Sequence, residues 1–244
     1  MSFLEEVEAR IESNRRDASL KEASHAFLSA SLAAKYSYNF FWMGRPIIQY
    51  PQDMVAMQEI IWDVKPDLII ETGIAHGGSL IYYASLMELI ASCGEGDGEV
   101  LGIDIEIRPH NRAALEAHHM MKRITMIEGS STAPGVLTRV QECAWGKERV
   151  LVCLDSMHTH DHVLAELEAY APLVTVGSYC VVFDTIIEDM PDGSFPDRPW
   201  GKGNNPKTAV EEFLESHLEF EIDKSIQNKL LITVAPDGYL KRLK

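Results

Sequence analysis

The sequence predicts an α/β fold, a mostly parallel β-sheet with helices on both faces, from three observations. Short apolar runs alternate with helical patterns along most of the 244 residues. The first run ends in an acid and a glycine-rich turn at 71–79, and a helical pattern opens directly after it. The next run also ends in an acid, Asp104. Because ligands in open α/β sheets sit outside the carboxyl ends of the strands, these acids predict a binding site at that edge.

The elements follow in order from hydrophobic periodicity and turn residues. The N-terminal part is predicted to be helical at 2–35, a loop or short extended segment at 37–52, and helical again from about 53 to 64, leading into a first strand at 67–72. Further strands are predicted near 99–105, 123–128, 149–154 and 175–183, and helices near 77–92, 110–121, 134–144 and 161–171. Such alternation implies right-handed crossovers and a parallel sheet.

The C-terminal part departs from this alternation. A helix at 206–218 is followed by two predicted strands, 219–223 and 228–234, in quick succession across a short turn. Strands joined so closely pair antiparallel. The expected ending is therefore an antiparallel hairpin that closes the sheet.

The composition is typical of a soluble cytoplasmic enzyme. The chain is 46% hydrophobic, enough for one large core domain plus a small addition. Its net charge of −15 argues against nucleic acid or an anionic membrane as the partner. None of the four cysteines forms a C-x-x-C pair, and Cys153 and Cys180 lie in strand patterns, so we expect buried thiols in a reducing compartment. No apolar run approaches ~20 residues, and the acidic N-terminus is not expected of a secretory signal.

The glycine spacing at 71–79 separates two cofactor classes. A dinucleotide fingerprint needs glycines at 73, 75 and 78, and position 75 is Ala. An acid two residues before Gly73 suits S-adenosylmethionine better, because the turn then passes the methionine end of the ligand and holds no pyrophosphate. The candidate cofactor residues of the turn are Glu71, Gly73, His76, Gly77, Gly78 and Ser79. An ordinary tight turn would also use glycine.

Two further strand ends extend the predicted cofactor site. The carboxylate of Asp104 can accept both ribose hydroxyls of an adenosyl group. Ser130 and Ser131 follow the third strand and are candidates to bind the amino edge of the adenine. Alternatively, Ser131 caps the next helix.

With these motifs the chain resembles the cephalosporin-hydroxylase family of S-adenosylmethionine-dependent methyltransferases and is similar to macrocin and rhamnosyl O-methyltransferases. The matching stretches are Trp42-Met-Gly44-Arg-Pro46-Ile-Ile-Gln49-Tyr50-Pro51-Gln-Asp53, Gln58-Glu59, the turn at 71–79 and Leu154-Asp155-Ser-Met-His158. The resemblance implies a Rossmann-like class I methyltransferase fold with a seven-stranded sheet, a homo-oligomer, and magnesium in some members. It also implies O-methylation of a small hydroxylated acceptor, a sugar or a natural-product scaffold.

On this basis two domains are expected, an N-terminal helical extension with a substrate-side loop at 1–64 and an S-adenosylmethionine-binding domain at 65–244. The segment 186–206 is predicted to be a lid. It is long and rich in proline and glycine, yet it holds Phe195 and Trp200, for which a merely solvated loop has little use. The candidate substrate residues in the two loops are Gln49, Tyr50, Asn204 and Asn205.

The fourth strand ends at Asp155, and three interpretations compete for the histidines that follow. In the first, Asp155 binds metal, cofactor or substrate, and His158 is the general base near the transferring methyl. In the second, His158, His160 and His162 bind zinc, although the segment is one residue shorter than the H-x-H-x-D-H pattern. In the third, the next helix is capped locally and the histidines are solvated. We favour the first for Asp155 and His158, and the third for His160 and His162.

The fifth strand ends in Phe183 and Asp184, beside the fourth in the expected sheet order. Asp155 and Asp184 would repel each other unless they share a cation or a proton. A Mg²⁺ ion there could lower the pKa of an acceptor hydroxyl. The resemblance places an acid where Phe183 stands, so a third ligand is needed. The candidates to complete the site are Thr185, Glu188 and Asp189.

The sequence therefore predicts an S-adenosylmethionine-dependent O-methyltransferase that brings an acceptor oxygen within range of the methyl group. Three alternatives stay open. An oxidoreductase using NAD is disfavoured by Ala75 and by the position of Glu71. A non-catalytic cofactor-binding subunit that assists a partner enzyme is kept open by Phe183, and a metal-dependent hydrolase by the histidine cluster.

Overall fold

The computed structural model describes residues 2–244, and in them helices and strands alternate. The helices are α1 (Phe3–Arg16), α2 (Ala18–Ala33), α3 (Pro51–Val64), α4 (Gly78–Ser92), α5 (Pro109–Glu116), α6 (Pro134–Ala144), α7 (His160–Tyr170), α8 (Pro206–Ser216) and α9 (Lys224–Leu230). The strands are β1 (Phe40–Trp42), β2 (Arg45–Ile47), β3 (Leu68–Thr72), β4 (Glu99–Asp104), β5 (Ile124–Glu128), β6 (Val150–Leu154), β7 (Tyr179–Val182), β8 (Phe220–Ile222) and β9 (Tyr239–Arg242).

Seven strands form one sheet in the order β5-β4-β3-β6-β7-β9-β8. Strands β3 to β7 are parallel, while β9 runs antiparallel to both β7 and β8. The chain leaves β3 toward β4 on one side and returns to β6 on the other. Ligands bind at such a reversal, outside the carboxyl ends of the strands. The predicted fold class is confirmed.

The sheet has a hydrophobic core on each face, because successive side chains of a strand point to opposite sides. Ile69 and Leu151 pack in the core that contains buried residues of α3 and α4, whereas Ile70 and Val152 pack in the core that contains those of α6, α7 and α8. Cys153 and Cys180 are buried free thiols, as predicted. Within residues 2–244, no helix combines the length and apolar character needed to cross a membrane.

The N-terminal elements are more divided than the sequence predicted. The helix expected at 2–35 is two helices, because Asp17 ends α1 and its carboxylate then caps α2 by accepting from the Leu20 amide. The loop expected at 37–52 contains a hairpin, β1 and β2. Its two turn residues, Met43 and Gly44, have φ angles of 45° and 84°, as a tight two-residue hairpin turn requires.

The strand predicted at 228–234 is wrong. Residues 224–230 form α9, which Asp223 caps by accepting from the Ser225 amide. Leu231, at φ 63°, ends that helix. The apolar residues that follow are irregular, and the amide of Val234 donates to the side chain of Asp53 instead of to a strand. The C-terminal antiparallel pair is therefore β8 with β9, and a helix lies between them.

Candidate active site

The glycine-rich turn after β3 lies directly against the end of β6. Gly73 has a φ of +94°, and a Cβ added there would lie 2.0 Å from the carbonyl oxygen of Asp155. Asp104 holds the next two residues, since its Oδ2 accepts from the amides of Ile74 at 2.8 Å and Ala75 at 3.1 Å. Glycine is thus required at position 73 both for conformation and for space.

Glu71 lies beneath this turn with one carboxylate oxygen unpaired. The side chain is fully buried. Its Oε2 accepts from the Ser79 hydroxyl at 2.8 Å, while its Oε1 has no hydrogen-bond partner within the described chain. Burial, with a smaller effect of the Asp104 charge, raises the pKa of Glu71 to about 8. A buried carboxylate with an orphaned oxygen fits a cationic ligand, and S-adenosylmethionine carries an ammonium and a sulfonium group.

Two residues that the sequence did not single out brace this turn from outside. The Arg45 guanidinium donates to the carbonyl oxygen of His76 at 2.6 Å, and the Asn111 amide donates to that of Ala75 at 2.9 Å. Arg45 also donates to Asn111 Oδ1 at 3.0 Å. Because these contacts join residues that are 31 to 66 positions apart in the chain, no local sequence pattern predicts them.

Gly78 has a packing role that the cofactor interpretation did not anticipate. A Cβ there would lie 2.1 Å from the carbonyl oxygen of Pro46, so the β1–β2 hairpin rests on the first residue of α4. Gly77, at φ +79°, precedes that helix, and a Cβ there would meet the side chain of Leu115. A cofactor role for these glycines stays a prediction.

The other predicted cofactor residues lie at neighbouring strand ends. Asp104 uses its second oxygen, Oδ1, to accept from the Glu106 amide at 3.1 Å. The Ser130 hydroxyl bonds with that of Thr132, and the Ser131 hydroxyl lies 3.2 Å from His162 Nε2. The alternative in which Ser131 caps α6 is wrong, because that helix begins at Pro134 after Ala133. Adenosyl binding by these side chains stays a prediction.

Asp155, His158 and Asp184 form a cluster at the ends of β6 and β7. One possible ligand atom from each lies within 4.8 Å of the other two. His158 Nε2 is 3.2 Å from Asp184 Oδ2. Burial and then the Asp184 charge raise the pKa of Asp155 well above its ordinary value. The cluster is therefore suited to share a cation or a proton, which relieves the repulsion between the two carboxylates.

The three residues that the sequence offered to complete this cluster are used elsewhere. The hydroxyl of Thr185 donates to the carbonyl oxygen of Pro236 at 2.6 Å. Glu188 accepts from the Gly203 amide, and Asp189 pairs with Lys207. A metal-binding role for Thr185 beside Asp155 and Asp184 therefore stays a prediction, and His158 is a further candidate donor that lies within the cluster.

His160 and His162 stand apart from the cluster, which contradicts the three-histidine zinc hypothesis. His160 lies 2.9 Å from the Thr208 hydroxyl and 3.2 Å from Glu212. His162 pairs with Glu166 at 3.3 Å, and this bond raises the pKa of His162. Both side chains are only 22% exposed. The expectation of solvated histidines is also wrong, because each packs against an acid.

The predicted lid places Trp200 against His158. Their ring centroids are 4.8 Å apart with an interplanar angle of 87°, and the Arg198 guanidinium lies 5.1 Å from the Trp200 centroid. The loop is tied down, since Glu188 accepts from the Gly203 amide at 2.7 Å and Asn204 Oδ1 accepts from the His160 amide at 2.9 Å. The sequence pointed to Trp200 as unusual for a loop but did not indicate its partner.

The four predicted substrate residues are mostly engaged within the protein. Asn204 also donates to Pro199, and Asn205 caps α8 by accepting from the Lys207 amide. The other two residues, Tyr50 and Gln49, are buried. Tyr50 is fully buried with its hydroxyl 2.7 Å from that of Ser31. Gln49 is buried and keeps one unpaired oxygen, Oε1, so it is the residue of the four with a free polar atom in the described chain. Substrate binding by any of them stays a prediction.

Fold and site together define a Rossmann-like methyltransferase that depends on S-adenosylmethionine. A family model described as rhamnosyl O-methyltransferase/CmcI matches residues 34–243. The chain belongs to this family, as the resemblance in its motifs predicted. It is 33% identical over 205 residues to the rhamnosyl O-methyltransferase of Mycobacterium leprae, covering 82% of each chain, and 31% identical over 215 residues to that of Mycobacterium tuberculosis, covering 85% of this chain and 82% of the relative.

Solved structures show the same fold at lower identity. The apo form of CmcI has a TM-score of 0.59 at 19% identity, covering 85% of this chain and 77% of CmcI. The apo structure of CalS11, a TDP-rhamnose 3'-O-methyltransferase of calicheamicin biosynthesis, has a TM-score of 0.54 at 17% identity, covering 93% and 94%. CmcI has also been solved with Mg and SAM, with a TM-score of 0.57 at 20% identity, covering 85% of this chain and 78% of CmcI.

Proposed function

We propose that this enzyme transfers the methyl group of S-adenosylmethionine to a hydroxyl of a sugar, either free or carried on a small molecule. The observation that carries this proposal is the placement of His158 and two carboxylates beside a turn whose buried Glu71 has an unpaired oxygen. The relatives are named for O-methylation of rhamnosyl groups, which supports a deoxysugar. Family membership disfavours NAD-dependent oxidation.

The residues of the cluster divide the work of proton removal. When Asp184 accepts a hydrogen bond from His158 Nε2, the neutral ring keeps Nδ1 free to accept the proton of the acceptor hydroxyl. Asp184 then fixes the ring orientation and stabilises the imidazolium that forms. The main chain of Asp155 packs against Gly73 of the cofactor turn, so the carboxylate that it carries is placed to orient the acceptor oxygen toward the methyl group.

The same cluster fits a divalent metal ion. Asp155 and Asp184 would hold it, with His158 as the possible third donor. A bound ion would lower the pKa of the acceptor hydroxyl. Phe183 is buried in the hydrophobic core, so it contributes no ligand. A donor set of two carboxylates and one imidazole suits Mn²⁺ at least as well as Mg²⁺, which prefers oxygen.

We assign residues 1–64 to an N-terminal extension and 65–244 to the cofactor-binding domain, with 186–206 as a lid over the acceptor. Lid loops close over bound substrate and exclude water. The contact of Trp200 with His158 supports the lid assignment. We also propose that the protein self-associates into a homo-oligomer. We further propose a cytoplasmic location, which the two buried free cysteines support, because thiols stay reduced in that compartment.

Replacing Trp200 with Ala should raise KM for the sugar acceptor about fivefold, in line with the order of 1 kcal/mol per aromatic contact. The affinity for S-adenosylhomocysteine should not change, because the aromatic contact of Trp200 is with His158 of the acidic cluster. Steady-state kinetics and calorimetry check the two parts. The matched control is Trp145→Ala, since Trp145 is 89% exposed. Equal effects of the two substitutions would remove Trp200 from the acceptor site.

The proposed function is tested first by calorimetric titration with S-adenosylhomocysteine, with NAD as the comparison ligand. We expect micromolar binding of S-adenosylhomocysteine that Asp104→Ala abolishes, because Asp104 both anchors the turn and is the candidate ribose acceptor. Rhamnosides and nucleotide-linked rhamnose are then screened for methyl transfer with Mg²⁺, with Mn²⁺ and with a chelator. Binding of NAD alone would overturn the proposal, and cofactor binding without transfer to any acceptor would favour a non-catalytic subunit.

A further inference from the structure

Asp53 is a buried acid for which the proposed reaction has no use. It lies in the first turn of α3 and is fully buried. Its carboxylate accepts from the Thr233 hydroxyl, from the Val234 amide at 3.0 Å and from the Tyr239 hydroxyl at 2.9 Å. Burial raises the pKa of Asp53 to about 6. A buried carboxylate is costly, and three donors from one stretch of chain offset that cost.

Asp53 holds Thr233 and Val234, and the stretch that begins with them, residues 233–236, in turn holds the backbone just after Asp184. The carbonyl oxygen of Val234 accepts from the Ile186 amide at 3.1 Å. The carbonyl oxygen of Pro236 accepts from the Thr185 hydroxyl at 2.6 Å. Both residues that follow Asp184 are thus hydrogen-bonded to the same segment to which Asp53 is hydrogen-bonded.

The residues before Asp184 are fixed as tightly. The Phe183 amide donates to the carbonyl oxygen of Leu154 at 3.0 Å. The Val182 amide donates to Gly238 at 2.8 Å, and a Cβ on Gly238 would lie 2.1 Å from the Val182 oxygen. The backbone of Asp184 is therefore held by hydrogen bonds of its neighbours, on β7 before it and to residues 233–236 after it.

Asp184 itself has an unfavourable backbone conformation, with φ 56° and ψ 21° in the left-handed region. Residues other than glycine adopt this conformation at a cost in free energy, and it persists where the surroundings fix it. Because the carboxylate direction follows the backbone, any relaxation of Asp184 would move its Oδ2 away from His158. The position of the carboxylate thus depends on contacts made by its neighbours.

We infer that Asp53 is a positioning residue for Asp184: it fixes residues 233–236, which hold the left-handed backbone that aims the Asp184 carboxylate at His158. This inference rests on the proposed function for its effect on catalysis. The connection itself is a chain of hydrogen bonds that exists with or without substrate. It joins the N-terminal extension to the catalytic cluster across more than 100 residues of sequence.

The experiment compares two Tyr→Phe variants on neighbouring antiparallel strands. Tyr239→Phe removes a hydroxyl that donates to Asp53 at 2.9 Å. The control, Tyr179→Phe, removes one that donates to Asp223, also at 2.9 Å, and Asp223 has no contact with residues 233–236 or with Asp184 among the hydrogen bonds of the described chain. The readouts are amide hydrogen exchange at Ile186 by NMR, and kcat and the KM for S-adenosylmethionine, both measured with the acceptor found by screening.

Tyr239→Phe should speed exchange at Ile186 about tenfold and lower kcat with KM for S-adenosylmethionine unchanged, the size expected when one buried hydrogen bond is lost. Tyr179→Phe should change neither. Asp53→Asn should have a larger effect in the same direction, because only one of the two terminal atoms of an asparagine side chain can accept, so the three donors cannot all keep their present bonds. Should Asp53→Asn fail to fold, the tyrosine pair still decides.

Unchanged exchange at Ile186 in Tyr239→Phe, or the same acceleration in both variants, would overturn the inference. So would faster exchange accompanied by an unaltered kcat. Failure of the proposed function is recognised separately, because the wild-type protein would then not bind S-adenosylhomocysteine. The exchange measurement needs no ligand, and it still determines whether Asp53 holds the backbone after Asp184.

Discussion

His158→Ala should lower turnover by about 10² to 10⁴, the usual contribution of a positioned general base, while affinity for S-adenosylhomocysteine stays within about twofold. The reason is location: His158 pairs with Asp184 at 3.2 Å and contacts Trp200, whereas the glycine-rich turn is held by Asp104 and Arg45. Rates under saturating cofactor and calorimetric titration measure the two quantities.

The matched control is His160→Ala, two residues away. His160 pairs with Thr208 and Glu212 on α8 and stands outside the acidic cluster. Its replacement should leave turnover within a few-fold of wild type. Retention of more than a tenth of the activity in His158→Ala would remove it as the base. Equal losses in both variants would show that the segment is merely distorted.

The second large effect is a pH dependence of cofactor affinity set by Glu71. Burial raises its pKa to about 8, so without ligand the group is mostly protonated at pH 7. A bound cation favours the carboxylate and lowers its pKa, so binding releases a proton. Affinity for S-adenosylhomocysteine, whose ammonium group is the cation, should therefore rise by up to about tenfold per pH unit from pH 6 toward 8 and level off above 8.

Two substitutions test this assignment. Glu71→Gln should abolish the pH dependence, because a neutral amide neither takes up nor releases the proton. Ser79→Ala should shift the rise to higher pH, since the Ser79 hydrogen bond lowers the pKa of Glu71. Titrations in buffers of different ionisation enthalpy count the protons released. A flat affinity profile for the wild type, or a pH dependence that survives in Glu71→Gln, would contradict the linkage.

Prediction from the sequence succeeded where a local pattern carries the information. Strands such as β3 and β6 are continuous apolar runs that end in an acid, and both lie where expected. It failed at the C-terminus, because the run Leu230–Ala235 looks like a strand. A backbone amide of this run, that of Val234, donates instead to the buried carboxylate of Asp53, which is distant in the sequence. Hydrophobicity shows that such a run is buried but not which partner its amides find.

The candidate site divides in the same way. The strand-end acids Glu71, Asp104, Asp155 and Asp184 were found from position alone, because parallel strands put their carboxyl ends at one edge. The brace formed by Arg45 and Asn111 was not foreseen, and neither was the contact of Trp200 with His158. These contacts depend on the paths of loops, which tertiary packing sets, so the spacing of residues in the sequence does not predict them.

By itself, the sequence determined the fold class and the family and predicted which strand ends carry chemistry, because periodicity, glycine at required φ angles and acids after apolar runs are local properties. The tertiary structure alone placed His158 within the acidic cluster and gave the Thr185 hydroxyl a partner in Pro236. It also separated His160 and His162 from that cluster. The physical reason is that a buried polar side chain must find a hydrogen-bond partner, and which partner it meets depends on packing across the whole chain.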